Sequence, residues 1–389
     1  MKILFVCTWK TPYLVQIWQY IKKYYSDVNF SVLTLDTDVD FFVKRLELDD
    51  AEHIYTYKHV NDPFFFDMRR TINKLPHFDV VHFLFIDWYY GLWINDLAKK
   101  TDTFFVSVGG SDLYRHSKNR VYRYFQKRII KHADWLSSEN EPTRDYFYKV
   151  YGKKCSAASH SIIRFGVDIL DSINNYHNSE ADNCLETIKQ KWKVPSDKIV
   201  VTLGYNGRIE HQHLKMIDAF SKCAKDMLNG FFFIVPMTYA VTSEEYVTEV
   251  TNGLQSLVGS DGFVILRDFM NVDEMAETVM ISDVMIHIQT TDQLSSTMLA
   301  HMYNGNIVIA GDWLPYGFLR DEGVNFYSIS EFDELSWYLE DIYDKIDCYK
   351  VACTDNKEII YRLSSWESMA GEWHNVYETL KGKDNDTTI

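Results

Sequence analysis

Short, almost uninterrupted apolar runs, spaced by segments of helical length, constrain this chain more than any other feature. KILFVC (from Lys2), FSVLTL (from Phe30), DVVHFLFI (from Asp79) and TFFVSV (from Thr103) lack the polar alternation of a half-exposed strand. They read as strands buried on both faces, which implies a parallel sheet covered by helices. After Phe165-Gly166-Val167-Asp168 the pattern gives way to the polar stretch SINNYHNSEADNCLE, read as a connector or surface insertion. The rhythm then restarts with KIVVTLG (from Lys198), FFFIVP (from Phe231), FVIL (from Phe263), DVMIHI (from Asp283) and NIVIAG (from Asn306). At 389 residues the chain is too long for one ordinary core. The expectation is an α/β protein of two doubly wound domains, residues 1–180 and 190–365, with the boundary between about Asp168 and Lys198. The tail 366–389 carries Trp366, Met369, Ala370, Trp373 and Tyr377 at spacings of three and four, the pattern of an amphipathic helix that frays from about Gly382.

Composition removes several function classes. No apolar run reaches the length of a spanning helix, and Met1-Lys2 leads straight into ILFVC with no signal-peptide layout, so a cytoplasmic protein is expected. The six cysteines form no C-x-x-C pair and no zinc spacing, so they are read as reduced thiols that mostly pack. A net charge of −15 argues against nucleic acid as a partner. One segment has the opposite sign. Residues 115–131 hold seven basic side chains (Arg115, Lys118, Arg120, Arg123, Lys127, Arg128, Lys131) and no acid, with Tyr122, Tyr124 and Phe125 between them. Three readings stand: a solvated helix face, a contact with anionic lipid at the inner leaflet, or a seat for a lipid-diphosphate or other polyanionic acceptor.

In doubly wound sheets ligands sit at the carboxyl ends of the strands. The richest such place runs from Ser282 to Phe326: a strand, a loop with Asp292, a helix beginning near Ser295, a turn from Tyr303 to Asn306, and another strand. Ser295 or Ser296 can cap that helix, and its free amides and dipole favour a diphosphate, although any crossover of this kind has a capped helix. Here the sequence resembles the nucleotide-sugar glycosyltransferases of family 4. These carry a strand, a loop glutamate, a second glutamate eight residues on, a small residue and a glycine; Asp292, Ala300 and Gly305 stand in those registers. Five further pieces follow in the family's order: KILFVCTWKTPY, GGSDLYR (Gly109–Arg115), HADWLSSEN (His132–Asn140), RFGVD (Arg164–Asp168) and GYNGRIEHQHLKMIDAF (Gly204–Phe220).

The resemblance implies a GT-B fold, with two Rossmann-like domains facing a central cleft. It also implies retaining transfer of a sugar from a nucleotide-diphosphate donor to a glycan or lipid-linked acceptor, with no metal and no bound cofactor, by analogy in bacterial surface polysaccharide synthesis. Asp292 would face the donor sugar, the amides of Leu294, Ser295 and Ser296 its diphosphate, and Arg208 the charge that develops on the leaving diphosphate. Gly204 and Gly207 would let backbone approach phosphate, Tyr239 would flank the base, and Asp112 and Arg115 would reach the acceptor side. His82 and Asp87 are further candidates there, His82 more naturally a satisfied core residue. The departures matter too. Ala300 has no acceptor for the ribose hydroxyls, a loss of about 1.5–3 kcal/mol or roughly ten- to over a hundredfold in affinity. The lysine expected after Arg208 is absent from Glu210-His211-Gln212-His213, whose two imidazoles are expected on different faces of an incipient helix. Lys10 or amides near Thr8 would have to replace missing glycines in the first loop. These departures motivate a rival reading, a silent GT-B subunit that supports an active partner; a sugar-nucleotide epimerase fits the later segments less well.

Overall fold

The computed structural model describes residues 1–7, 11–46, 48, 53–58, 62, 64–178 and 184–382; Thr8, Lys10 and the tail beyond 382 lie outside them. The chain forms two compact units, Met1–Gly166 together with the segment from Trp366, and Val167–Ser365. No helix among the described residues is long and apolar enough to cross a membrane.

The first unit is built on a seven-stranded sheet of β1 (Lys2–Val6), β2 (Asn29–Leu35), β3 (Ile54–Tyr57), β4 (Phe78–Phe83), β5 (Thr101–Ser107), β6 (Trp135–Ser138) and β7 (Ser159–Ile162). Their spatial order is β3-β2-β1-β4-β5-β6-β7, with every neighbouring pair parallel. The central strands are buried on both faces, as the apolar runs require: Ile3 and Phe5 face one cluster, Leu4 and Val6 the other. The second unit repeats the plan with β8 (Ile199–Leu203), β9 (Phe231–Pro236), β10 (Phe263–Leu266), β11 (Val284–His287), β12 (Ile307–Gly311) and β13 (Tyr327–Ile329), in the order β10-β9-β8-β11-β12-β13, again parallel. In each sheet the direction of winding reverses beside the first strand, between β1 and β4 and between β8 and β11. A crevice opens outside the carboxyl ends at such a point, because the loops there run to opposite sides of the sheet.

Two segments differ from expectation. The polar stretch after Asp168 is not a surface insertion: Ile169–Asn178 is a helix whose Ile169, Leu170 and Ile173 are buried in an apolar cluster of the second unit. Its polar side chains are spent on partners there, Ser172 donating to Asp273 at 2.8 Å and Tyr176 to Glu277 at 3.0 Å. The tail forms the expected helix, Trp366–Gly382, and it packs with the first unit. Trp366, Trp373 and Tyr377 are buried there, and Trp373 Nε1 donates to the Arg164 carbonyl at 2.8 Å. This helix also explains His82. The fully buried ring has both nitrogens engaged, Nδ1 with Tyr377 Oη at 2.9 Å and Nε2 with Ser107 Oγ at 2.8 Å. Burial holds it well below the ordinary histidine range, a satisfied core residue.

Candidate functional site

The strand ends at the β8–β11 reversal carry a linked set of polar groups from several loops. The loop after β8 is fastened by its backbone: Gly207 N donates to the Tyr239 carbonyl (3.1 Å), Thr242 N to the Gly207 carbonyl (3.0 Å), and Ile209 N to Thr242 Oγ1 (2.8 Å). Gly207 is required there, since a Cβ would stand 2.8 Å from Val241 Cγ2. This lacing ties the loop of Arg208 to the loop of Tyr239, and both side chains are exposed.

Opposite, the loop after β11 presents Asp292. One carboxylate oxygen accepts Tyr316 Oη at 2.6 Å and lies 3.2 Å from His287 Nε2; the other accepts the Gln293 amide at 2.8 Å. His287 Nε2 and Tyr316 Oη are themselves 2.9 Å apart, so three side chains close a ring of hydrogen bonds that fixes the carboxylate. Ser295 then caps the helix Ser296–Tyr303, its Oγ accepting the Met298 amide at 3.2 Å. Leu294 and Ser295 are buried and Ser296 half-buried. Ala300 is fully buried within the apolar cluster that also holds Met298, Val308 and Leu319.

The two histidines of HQH do not share one helix. Gln212 adopts a left-handed conformation (φ 62, ψ 32) that ends one turn and starts the helix His213–Phe220, which brings the two buried rings to within 5.6 Å. Both lean over Gly204, whose φ of +63 and missing Cβ make their room. On an unbroken helix the two rings would fall on different faces, as the spacing predicts; the turn at Gln212 breaks the helix between them. His287 and Tyr316 are not among the residues the sequence points to. His287 carried a signal, an imidazole ending a buried strand; Tyr316, 24 residues beyond Asp292, carried none.

At the strand ends of the first unit, Asp112 begins the short helix Gly110–Tyr114 and is 1% exposed. Its carboxylate accepts the amides of Ile86 (2.7 Å), Leu113 (2.8 Å) and Gly109 (3.2 Å), which makes it the anchor of the loops after β4 and β5. Arg115 follows at the end of that helix, half-buried, and Asp87 is buried nearby. Burial raises the Asp112 pKa to about 7, against the lowering effect of the three amides, with the Asp87 charge adding to the rise. A folded-state pKa above the unfolded value means the native protein holds the extra proton between about pH 4 and 7, so this group's stabilising effect is lost as pH rises through that window. Denaturant unfolding of wild type and Asp112→Asn at the two ends of the window is expected to show a fall in stability with pH that the variant largely lacks; equal slopes would overturn the assignment.

The basic segment forms the helix Arg120–Ile130, capped by Asn119, whose Oδ1 accepts the Val121 and Tyr122 amides at 2.9 and 3.2 Å. Ile129, Ile130 and Gln126 face inward, Gln126 donating to the carbonyls of Ile86 and Asp112 at 3.1 Å. The outer side shows Arg120, Val121 and Tyr124, the last two 57% and 62% exposed. Trp88 stacks flat on Tyr122 at 4.6 Å.

No family model and no curated protein matches this sequence. Solved structures do match, over nearly the whole chain. HepE of Anabaena, in complex with UDP and glucose, shares 14% identity at a TM-score of 0.75, covering 97% of this chain and 100% of its own. The chain has the GT-B fold. Sucrose-phosphate synthase from Thermosynechococcus elongatus (12% identity, TM-score 0.74, covering 98% and 99%) and a glycosyltransferase from Rickettsia africae (15%, 0.74, 97% and 98%) are similar to the same extent.

Proposed function

We propose that this GT-B protein is a retaining glycosyltransferase that moves a sugar from a nucleotide-diphosphate donor to a glycan or lipid-linked acceptor, in bacterial surface polysaccharide synthesis at the cytoplasmic face of the membrane. The observation that carries the reading is the clamped Asp292 set across from the Arg208 loop at the winding reversal of the second unit. Asp292 would accept hydrogen bonds from donor-sugar hydroxyls, held still by Tyr316 and His287. Arg208, with the amides from Leu294 to Ser296, would take the charge that grows on the leaving diphosphate. That diphosphate can receive the acceptor's proton itself, so no side-chain base is needed. Neighbours of the same fold have been captured with UDP and with UDP-glucose, which supports a sugar nucleotide as the partner.

The silent-subunit alternative rests on Ala300, which offers the ribose nothing and is packed in an apolar cluster. Thermal shift with UDP-, GDP-, ADP- and dTDP-sugars separates the two. Wild type is expected to be stabilised by one base. Ala300→Glu should lower the melting temperature of the empty protein, because its carboxylate enters apolar surroundings, and should enlarge the shift produced by the sugar nucleotide, which supplies ribose hydroxyls as partners. No shift in either protein would favour the silent subunit.

The helix Arg120–Ile130 would seat on anionic lipid. Clustered cations there contribute about 1 kcal/mol each, so Arg120→Glu combined with Tyr124→Ala is expected to weaken sedimentation with phosphatidylserine vesicles at least about tenfold; unchanged binding would leave that face solvated.

A further inference from the structure

His211 is fully buried, yet neither ring nitrogen has a hydrogen-bond partner among the described residues. Buried polar side chains in folded proteins are almost always paired, so an imidazole with two open nitrogens beside a ligand site points to a partner that arrives with the ligand. Its placement favours an anion. The ring sits three residues after Arg208, edge-on to Tyr205 at 4.5 Å, and the Thr290 amide holds its turn to the loop after β11 through the Glu210 carbonyl at 3.0 Å. The next lysine along the chain is engaged elsewhere: Lys215 Nζ donates to Gln212 Oε1 at 2.9 Å and lies over the Phe332 ring.

We infer that His211 is a ligand of the donor's diphosphate and takes up a proton as that ligand binds, an inference that rests on the donor-site reading above. The charged and titratable groups around it are Arg208 and Glu210 on its own turn, His213 at 5.6 Å from the following helix, Tyr205 after β8, and His287 at 6.2 Å from β11 with Asp292 bound to it. In the empty protein, burial first and then the positive potential of His213, His287 and Arg208 keep the ring neutral. A diphosphate beside Arg208 reverses that local field. The imidazolium becomes the favoured form, and its Nε2–H, on the side of the ring away from Gly204, can donate to a phosphate oxygen. The proton comes from solvent, and no bond to carbon or phosphorus changes.

Calorimetric titration of UDP-glucose, GDP-mannose, ADP-glucose and dTDP-glucose, in buffers of different ionisation enthalpy, measures the proton directly. These diphosphates carry no group of their own that titrates near neutral pH. Wild type is expected to take up close to one proton per bound nucleotide and to lose affinity as pH rises, by up to about tenfold per pH unit. His211→Gln, which keeps a hydrogen-bonding side chain but cannot hold the charge, should bind with no uptake and a flat pH profile; a wild-type melting curve in the absence of ligand confirms that it folds. Binding without uptake in wild type, or uptake unchanged in His211→Gln, overturns the inference and leaves the donor site standing. If none of the four nucleotides binds, the donor-site reading falls and this inference with it.

Discussion

Arg208→Ala is expected to lower kcat of glycosyl transfer by about 10²- to 10³-fold, the range seen when one preorganised group facing developing charge is removed, with no measurable loss of stability. The chemistry sets the size of the effect. As the bond between sugar and diphosphate breaks, negative charge accumulates on the leaving oxygen, and a cation already in position stabilises that state more than the intact donor. The structure sets the expected silence in stability. The Arg208 side chain is exposed and among the described residues has no ion-pair partner, while the backbone around it is fastened through Gly207, Thr242 and Ile209 without its help. Arg208→Lys should recover part of the rate, because it restores charge without the planar fork. The measurement is steady-state transfer with the nucleotide found by thermal shift. A rise in KM at constant kcat would make Arg208 a ground-state binder and move the leaving-group role to the helix amides and His211.

The part of this fold legible in sequence was the part buried on both faces. β1, β2, β4, β5, β8, β9, β11 and β12 are runs such as KILFV and FFFIVP, where burial from two sides excludes polar side chains. The edge strand β10 (FVIL) is half-buried but apolar throughout and reads the same way, whereas the edge strands β3 (IYTY), β7 (SHSI) and β13 (YSI) carry polar side chains that fewer covering neighbours permit, and they do not stand out. β7 is partly exposed along its whole length. The helix after Asp168 was missed for a related reason: Ser172 and Tyr176 look solvated in a one-dimensional reading and are paired only once Asp273 and Glu277 come near. At the candidate site, Asp292 is readable as a polar residue following an apolar strand, and Arg208 through the family resemblance. The groups that fix Asp292 were not, since Tyr316 lies 24 positions away and meets it only through the crossover. Asp112 was legible as a strand-end carboxylate, but its three backbone amides, which make it a loop anchor, come partly from Ile86, 26 residues earlier.

Trp373→Ala is expected to destabilise the first unit by about 3–5 kcal/mol, and for a unit of this size each kcal/mol moves the melting point by roughly 2–4 °C, so its calorimetric transition should fall by on the order of 10 °C. The indole is fully buried, with ring centroids 5.0 Å from Phe165, 5.6 Å from His82 and 5.8 Å from Phe105, and its Nε1 satisfies the Arg164 carbonyl. Removing it leaves a cavity between the sheet and the C-terminal helix and orphans a carbonyl. The helix also carries Tyr377, whose hydroxyl engages His82, so loosening it exposes a second buried polar group to loss of its partner. The first unit is therefore completed by residues that begin 200 positions beyond the rest of it (366 − 166), and it cannot reach its final packing until the second unit's chain has been made. The expected signature is a shift of the first unit's transition with the nucleotide-induced stabilisation of the second retained. A fall below about 0.5 kcal/mol, the range of surface substitutions, would mean that the helix is an ornament on a core already closed.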